Sequence, residues 1–275
     1  RRQPELARLA RALAGQGQLV LVPEFTGLAA FRLRGDEVDD VRAALAHLRR
    51  LSPQGVGVAG FSFGAGPALL AAADTPGLRL VGAFGGYADL RNVIAFVTTG
   101  AHGFADRQYT ARPEAYNRWK LLALLLAFVE DEPERSLLQR IAERKLAHPG
   151  DDTSDLELQL AGEGRAVLAL IVNRRAQAVP ALVADLPAHA RRALEALSPL
   201  PAMPRIEGRL LVAHGAGDES IPFTESLRLA AAAGPGTSAV ILGTFHHVGP
   251  AGRWSLEHAL DGGRLVGLAR GLLRP

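Results

Sequence analysis

The sequence predicts an α/β protein, with a mostly parallel sheet covered by helices and a large helical insertion between its strands. Three observations carry this reading. Over the first 90 residues short apolar runs alternate with amphipathic stretches, the runs being QLVLVPEF (18–25), GVGVA (55–59) and LRLVGAF (78–84). From about residue 100 to residue 205 helical periodicity replaces that rhythm. Apolar runs then return at RLLVA (209–213) and SAVIL (238–242). Strands that alternate with helices mark a parallel sheet with both faces covered.

The elements follow in order. Pro4 and Glu5 suit a first helical turn, and Leu6, Leu9, Ala10 and Leu13 share a face until Gly15 and Gly17 stop the helix. The run 18–25 reads as a buried strand ended by Pro23. Residues 36–50 form an amphipathic helix with Val38, Val41, Leu45 and Leu48 as its stripe. The strand 55–59 enters GFSFGAG, and a small-residue helix leaves it over 67–73. A third strand spans 78–84. In the inserted block, helices are expected over 114–130, 134–147, 155–160, 165–173 and 188–197. SPLPAMPRIEG (198–208), with three prolines, marks a boundary. The division is therefore a core of 1–99 and 206–275 and an insertion of 100–205. A strand at 209–213, a helix at 223–233, a strand at 238–242 and a mostly helical end at 254–273 complete the core.

Composition narrows the function. The 275 residues contain no cysteine, which removes disulfides, cysteine-built zinc or iron–sulfur sites and a cysteine nucleophile. The formal charge of +3 and the 5% aromatic content give no basic, aromatic-interleaved surface, so no nucleic-acid partner is expected. The longest apolar run, Leu121 to Val129, is about half of the ~18 residues a membrane span needs. No signal-peptide pattern follows Arg1, and a cytoplasmic location is the expectation.

Gly60-Phe61-Ser62-Phe63-Gly64 is a GxSxG motif set between a buried strand and a small-residue helix. That context is the one a nucleophile elbow needs. The glycines at 60 and 64 are expected to relieve crowding where strand and helix cross, and Gly66 to allow close packing. The turn would present the Ser62 hydroxyl above the sheet and set the Phe63 N–H where an oxyanion would develop. A plain glycine turn with a helix-capping serine is the bland alternative.

A serine hydroxyl needs a base, and the base needs an orienting group. Asp218 follows the strand 209–213 in HGAGDESIP, which suits the orienting acid. Asp89, in GGYADL after the preceding strand, is the alternate acid. His246 and His247 follow the last strand in GTFHH; His246 is the preferred base and His247 its alternate. His214 is expected to be structural, and His47, His102, His148, His189 and His258 to be surface or packing residues. No metal-ligand pattern is present, and no metal or organic cofactor is needed.

With GFSFG, HGAGDESIP and GTFHH in the order Ser, Asp, His, the chain resembles the α/β-hydrolase fold superfamily. Within it the chain is most similar to the branch of dienelactone-hydrolase and prolyl-oligopeptidase-like esterases. The resemblance covers 1–90 and 206–275; the insertion resembles caps in general. It implies Ser62 as nucleophile, His246 as general base then acid, and Asp218 as its orienter. The implied activity is hydrolysis of a carboxylic ester through an acyl-enzyme on Ser62. An amidase or peptidase, or a non-catalytic binding protein on the same fold, are the alternatives. A small, partly apolar ester or amide is the expected ligand, and a homo-oligomer is compatible with the sequence. The stretch ELARLARALAGQGQLVLVPEFTG resembles the part of the family just after its first oxyanion loop. The family carries a strand and an HG-type loop ahead of that point. The expectation is that such residues precede Arg1 in the biological protein. The helical insertion is expected to close over Ser62, with Trp119, Leu121, Leu122, Leu125 and Phe128 as an apolar stripe.

Overall fold

A computed structural model describes residues 4–29, 35–52, 55–246 and 256–273. The first helices are α1 (Pro4–Ala14), a single turn α2 (Thr26–Ala29) and α3 (Asp36–Leu51). Three acidic residues in the first turn of α3 and Arg49 and Arg50 in its last complement the helix dipole. Val41 and Leu45 of its stripe are buried. Next come β1 (Gly57–Phe61), α4 (Ala65–Ala73), β2 (Leu80–Phe84) and α5 (Leu90–Thr99). An antiparallel hairpin of β3 (Ala101–Phe104) and β4 (Arg107–Thr110) follows. The inserted helices are α6 (Ala115–Leu125), α7 (Glu132–Ala147), α8 (Ser154–Glu157), α9 (Gly162–Val172), α10 (Val179–Ala184) and α11 (Ala188–Ala196). The chain returns to the sheet through β5 (Arg209–Gly215), α12 (Phe223–Ala232), β6 (Thr237–Leu242) and α13 (Leu256–Leu273).

The main sheet has the order β1-β2-β5-β6, with every pairing parallel. Its register aligns Phe61 with Phe84 and Phe84 with Ala213, so the carboxyl ends of β1 and β2 lie level beside β5. This mostly parallel sheet, covered by helices and carrying a large helical insertion, is the predicted fold class.

Apolar side chains separate into two cores. One lies on the sheet and joins α3 and α4 to β2 and β5 through Val41, Leu45, Leu69, Val81, Ala83 and Val212. The other belongs to the inserted helices, and α5 contributes Leu90, Val93, Ile94, Phe96 and Val97 to it. Trp119, Leu121, Leu122, Leu125 and Phe128 are all buried there, so the predicted stripe is chiefly the insertion's own core. Arg118 binds helix ends inside this core. Its guanidinium, forced down to about 10 mainly by burial and further by Arg174, donates to the carbonyls of Thr98, Ile171 and Asn173. No described helix is long and apolar enough to cross a membrane.

Three sequence expectations change. Gln18–Phe25 is not a strand; it pairs with no described strand, and Leu19, Leu21 and Val22 are 54%, 41% and 47% exposed. An apolar run becomes a strand only where its N–H and C=O groups find a ladder partner, which period alone does not reveal. The insertion does not begin as helices: the hairpin at 101–110 comes first, turning through Ala105 at a φ of 50°. His102, Tyr109 and Phe223 pack ring to ring against it, tying the hairpin to α12. Helix α5 is the third, hidden because its apolar face serves the insertion and not the sheet.

Candidate active site

Ser62 stands at the junction of β1 and α4, at the head of a 3₁₀ turn over Ser62–Gly64. Its φ is 52°. The left-handed region costs an L residue about 1–2 kcal/mol and is held only where the surroundings enforce it. The enforcement here is local. A Cβ on Gly60 would lie 2.5 Å from Ala65 Cα and 2.5 Å from the Gly64 carbonyl oxygen, so strand and helix cross with no room for a side chain. A Cβ on Gly66 would lie 2.0 Å from the Tyr87 hydroxyl. Tyr87 is fully buried, donates to the Leu197 carbonyl at 3.0 Å and packs its ring on Phe63. Gly64 departs from expectation: a Cβ there meets nothing within 4 Å, and its φ is −70°. The turn bends away from its neighbours at that point, so crowding does not require the second glycine of GxSxG. Phe63 lies in the first turn of the helical segment, where amides lack intrahelical acceptors.

Gly85 and Gly86, just past β2, fill the space between the serine and the predicted acid. A Cβ on Gly86 would lie 3.9 Å from the Ser62 carbonyl oxygen, and one on Gly85 would lie 3.7 Å from Asp218 Oδ2. Gly85 has a φ of 59°. Asp218 is buried in the loop after β5, where its Oδ1 accepts the Ser220 N–H at 2.8 Å and the Ile221 N–H at 3.0 Å. The exposed His246 ring leans on Gly217, the residue before Asp218, with Nε2 3.3 Å and Nδ1 3.4 Å from where a Cβ there would be. The loop bearing His246 is pinned from behind. Asp261 of α13, itself buried, accepts the Thr244 N–H and hydroxyl, each at 2.8 Å. Ser62, Gly85, Gly86, Asp218 and His246 thus all lie in segments that follow the carboxyl ends of β1, β2, β5 and β6; His246 lies against Gly217, and among the described residues no hydrogen bond or ion pair joins it to Ser62 or Asp218. The paired glycines were not read as part of the site; their signal was two small residues directly after a buried strand.

The other candidates fall elsewhere. Asp89 caps α5, accepting the Arg91 N–H at 2.9 Å and pairing with the Arg91 guanidinium at 2.7 Å. His247 lies outside the described residues. His214 is buried, with Nδ1 2.6 Å from Ser226 Oγ and Nε2 2.9 Å from the Ile221 carbonyl oxygen. His102 is a packing residue in the ring cluster, and burial holds its pKa down.

The insertion meets this face of the sheet. Phe63 packs against the insertion core, and Ile221, three residues past Asp218, is part of it. Asn117 of α6 donates to the Glu219 carbonyl at 2.9 Å. The Leu200 N–H donates to the Ala88 carbonyl at 3.0 Å, docking the proline-rich segment on the loop after β2. A small, wholly apolar cavity lies between Phe63 and Leu90, Ile94, Leu121, Leu125, Phe128 and Leu194. Leu194 also lines a groove of about 440 Å³ with Arg91, Asn92, Val179, Arg191 and Glu195.

Within the insertion, Glu130, Glu163 and His189 each offer a donor atom, all within 4.8 Å of one another, and could hold a metal ion. These side chains already serve each other. His189 lies 3.7 Å from each carboxylate and 2.9 Å from the Phe128 carbonyl oxygen, and Glu163 accepts the Glu130 N–H.

No protein-family model matches the sequence, and no curated protein does. Among solved structures, the esterase domain from a Rhodothermus marinus protein is similar at 17% identity and a TM-score of 0.48, over 97% of this chain and 80% of that one. A meta-cleavage product hydrolase from Pseudomonas fluorescens follows at 17% identity and a TM-score of 0.40, over 86% and 72%. An alpha/beta fold family hydrolase from Bacillus anthracis has 14% identity and a TM-score of 0.41, over 76% and 67%. At these identities and scores the likenesses bear on neither fold nor chemistry, which rest on the geometry above.

Proposed function

We propose that this protein is a serine hydrolase of carboxylic esters in the α/β-hydrolase superfamily, with the dienelactone-hydrolase-like esterases as the branch its motifs resemble. The observation that carries the proposal is the left-handed backbone of Ser62, held by the Gly60 crossing at the carboxyl end of a parallel strand. A helix-capping serine has no need of that conformation, whereas a presented nucleophile does. Asp218 follows β5 and His246 follows β6, so the proposed acid and base come, like Ser62, from segments at the carboxyl ends of strands. Strands lie about 4.8 Å apart, so β1 and β5 are separated by about 10 Å across β2, a gap an imidazole between two side chains spans.

In the proposed reaction, Ser62 Oγ attacks the ester carbonyl while His246 takes its proton. The carbonyl oxygen, now an oxyanion, accepts from the Phe63 N–H. The tetrahedral intermediate collapses, the C–O bond to the alcohol breaks, and His246 returns the proton to the departing oxygen. Water then attacks the acyl-enzyme with His246 again as base, releasing the acid and restoring the Ser62 hydroxyl. Asp218 holds the imidazole and stabilises its charged form. The insertion, 100–205 with α5 packed into it, serves as a cap whose apolar cavity at Phe63 takes an aliphatic or aromatic part of the substrate.

A fluorophosphonate probe tests this directly. Stoichiometric labelling at Ser62, lost in Ser62→Ala together with turnover of p-nitrophenyl esters, is the expected result. Unlabelled wild-type protein, or a Ser62→Ala variant that keeps its turnover, would show a non-catalytic protein or another nucleophile.

A further inference from the structure

We infer that His214 is a positioning residue for Asp218, a second imidazole that holds the carboxylate from the buried side and so sets it for His246 in the proposed reaction. This rests on the triad proposed above. His214 is the penultimate residue of β5, and its Nε2 lies 3.3 Å from Asp218 Oδ2, with the two side chains 0% and 1% exposed.

The hydrogen-bond partners fix the proton. The Ile221 carbonyl and the Asp218 carboxylate, both facing Nε2, can only accept. Nε2 therefore carries the hydrogen, donates it to the Ile221 carbonyl and holds its positive end 3.3 Å from the carboxylate. Nδ1 is then the acceptor, and the Ser226 hydroxyl, 2.6 Å away on α12, donates to it. The charged groups of α12 are engaged elsewhere. Glu225 takes the Ala88 and Asp89 N–H groups, and Arg228 takes Glu225 and the Gly103 carbonyl. Among the described residues, the titratable group set against Asp218 at this place is thus His214.

A packing histidine would be satisfied by Ser226 and Ile221 alone. Setting the same N–H 3.3 Å from a buried carboxylate adds its positive end to the Ser220 and Ile221 amides that donate to Oδ1. A buried carboxylate stays ionised only where donors and nearby positive charge replace the water it has lost. These contacts also fix the carboxylate's rotamer. They draw off part of its charge, so the charged form of His246 is less stabilised than it would be beside a bare carboxylate. Losing the His214 donor should then raise the His246 pKa.

The test follows the His246 imidazole Hε1 resonance through a pH titration, alongside kcat and KM for p-nitrophenyl acetate, in the full chain. In His214→Leu the His246 midpoint should rise by about half a pH unit or more. The acid limb of kcat/KM should move with it, and kcat should fall about tenfold with KM within twofold. His214→Gln, whose amide N–H can replace Nε2–H, should restore the midpoint and kcat to within about threefold. His214→Phe, which keeps a ring in the core and carries no N–H, should move the midpoint the same way and covers the case in which His214→Leu does not fold. Midpoints unchanged in whichever of His214→Leu and His214→Phe folds overturn the inference. Fluorophosphonate labelling of Ser62 on the same samples reports the triad separately: a labelled enzyme with unmoved midpoints sinks only the role of His214, and an unlabelled wild type sinks the reading beneath it.

Discussion

Replacing Gly60 by alanine, set against the same change at Gly64, tests whether the strand–helix crossing holds Ser62. At position 60 the new Cβ would sit 2.5 Å from two backbone atoms and 2.8 Å from a third, the Ala65 nitrogen. Reaching ordinary contact near 3.4 Å requires the turn to open by about 0.9 Å, and backbone cannot swing aside as a side chain can. Overpacking of this kind costs about 1–3 kcal/mol, and the rigid neighbours place it near the top of that range. For a chain of this length about 3 kcal/mol is a Tm fall of roughly 6–12 °C. A displacement near 1 Å at a nucleophile lowers turnover about 100-fold. At position 64 the Cβ meets nothing and the φ of −70° suits any residue. Gly64→Ala should raise stability by about 0.4–1 kcal/mol through the unfolded chain and keep turnover within about threefold. Circular-dichroism melts and p-nitrophenyl ester rates on the two variants suffice. Equal behaviour of the pair, or a larger loss in Gly64→Ala, would refute the account of the elbow.

Three more outcomes are expected. Arg118→Leu leaves three carbonyls in the insertion core without their donor and should cost about 3 kcal/mol, measured as a fall in the denaturant midpoint. Asp261→Ala strips the buried Thr244 N–H and hydroxyl of their acceptor; it should cost about 2 kcal/mol and slow ester turnover by loosening the loop that carries His246. Burial, opposed by the Asp89 and Ala88 amides and Arg228, holds the Glu225 pKa above the ordinary glutamate value. Above that ordinary value the unfolded chain has released the proton while the folded chain retains it. Stability therefore falls as pH rises from the ordinary glutamate range through the folded value. Glu225→Gln should flatten that slope, and a Tm-against-pH profile that keeps it would refute the assignment.

What the sequence disclosed follows from how local each signal is. GVGVA running into GFSFG, and RLLVA into HGAGD, are read correctly as strands because each run is apolar and glycine-rich sequence follows it, but the expectation that the first is buried fails: β1 stands at the end of the described sheet and is mostly exposed, Phe61 by 40%. Strand β1 begins two residues later than read, since Gly55 and Val56 precede the first paired residue. The run at 18–25 carries the same apolar signal without a described partner, and pairing is a property of two segments. Helix α5 was hidden between an aspartate considered for chemistry and a hairpin no period announces, although Asp89 followed by Leu90 and Arg91 is an N-cap pattern. At the site, the order Ser, Asp, His was legible. The contact from His214 across the loop to Asp218 depends on how that loop folds back, which spacing alone does not give.

The two separate cores have a consequence for how such a protein can diversify. The inserted helices satisfy one another's apolar surface, and they meet the sheet at a few places: Phe63 and Tyr87 beside the serine, Asn117 on the acid loop, and the docked segment at Leu200. A lineage could replace the whole helical block, keeping those attachment points, and leave the strand that carries the serine undisturbed. Mutations within the block would then tend to be judged by what they admit to the pocket, and mutations around the glycine steps by whether the chain folds at all. Selection on ligand preference and selection on folding would act on different stretches of one polypeptide, the first drifting quickly through 100–205 and the second holding Gly60, Ser62, Gly66 and 85–86 nearly fixed.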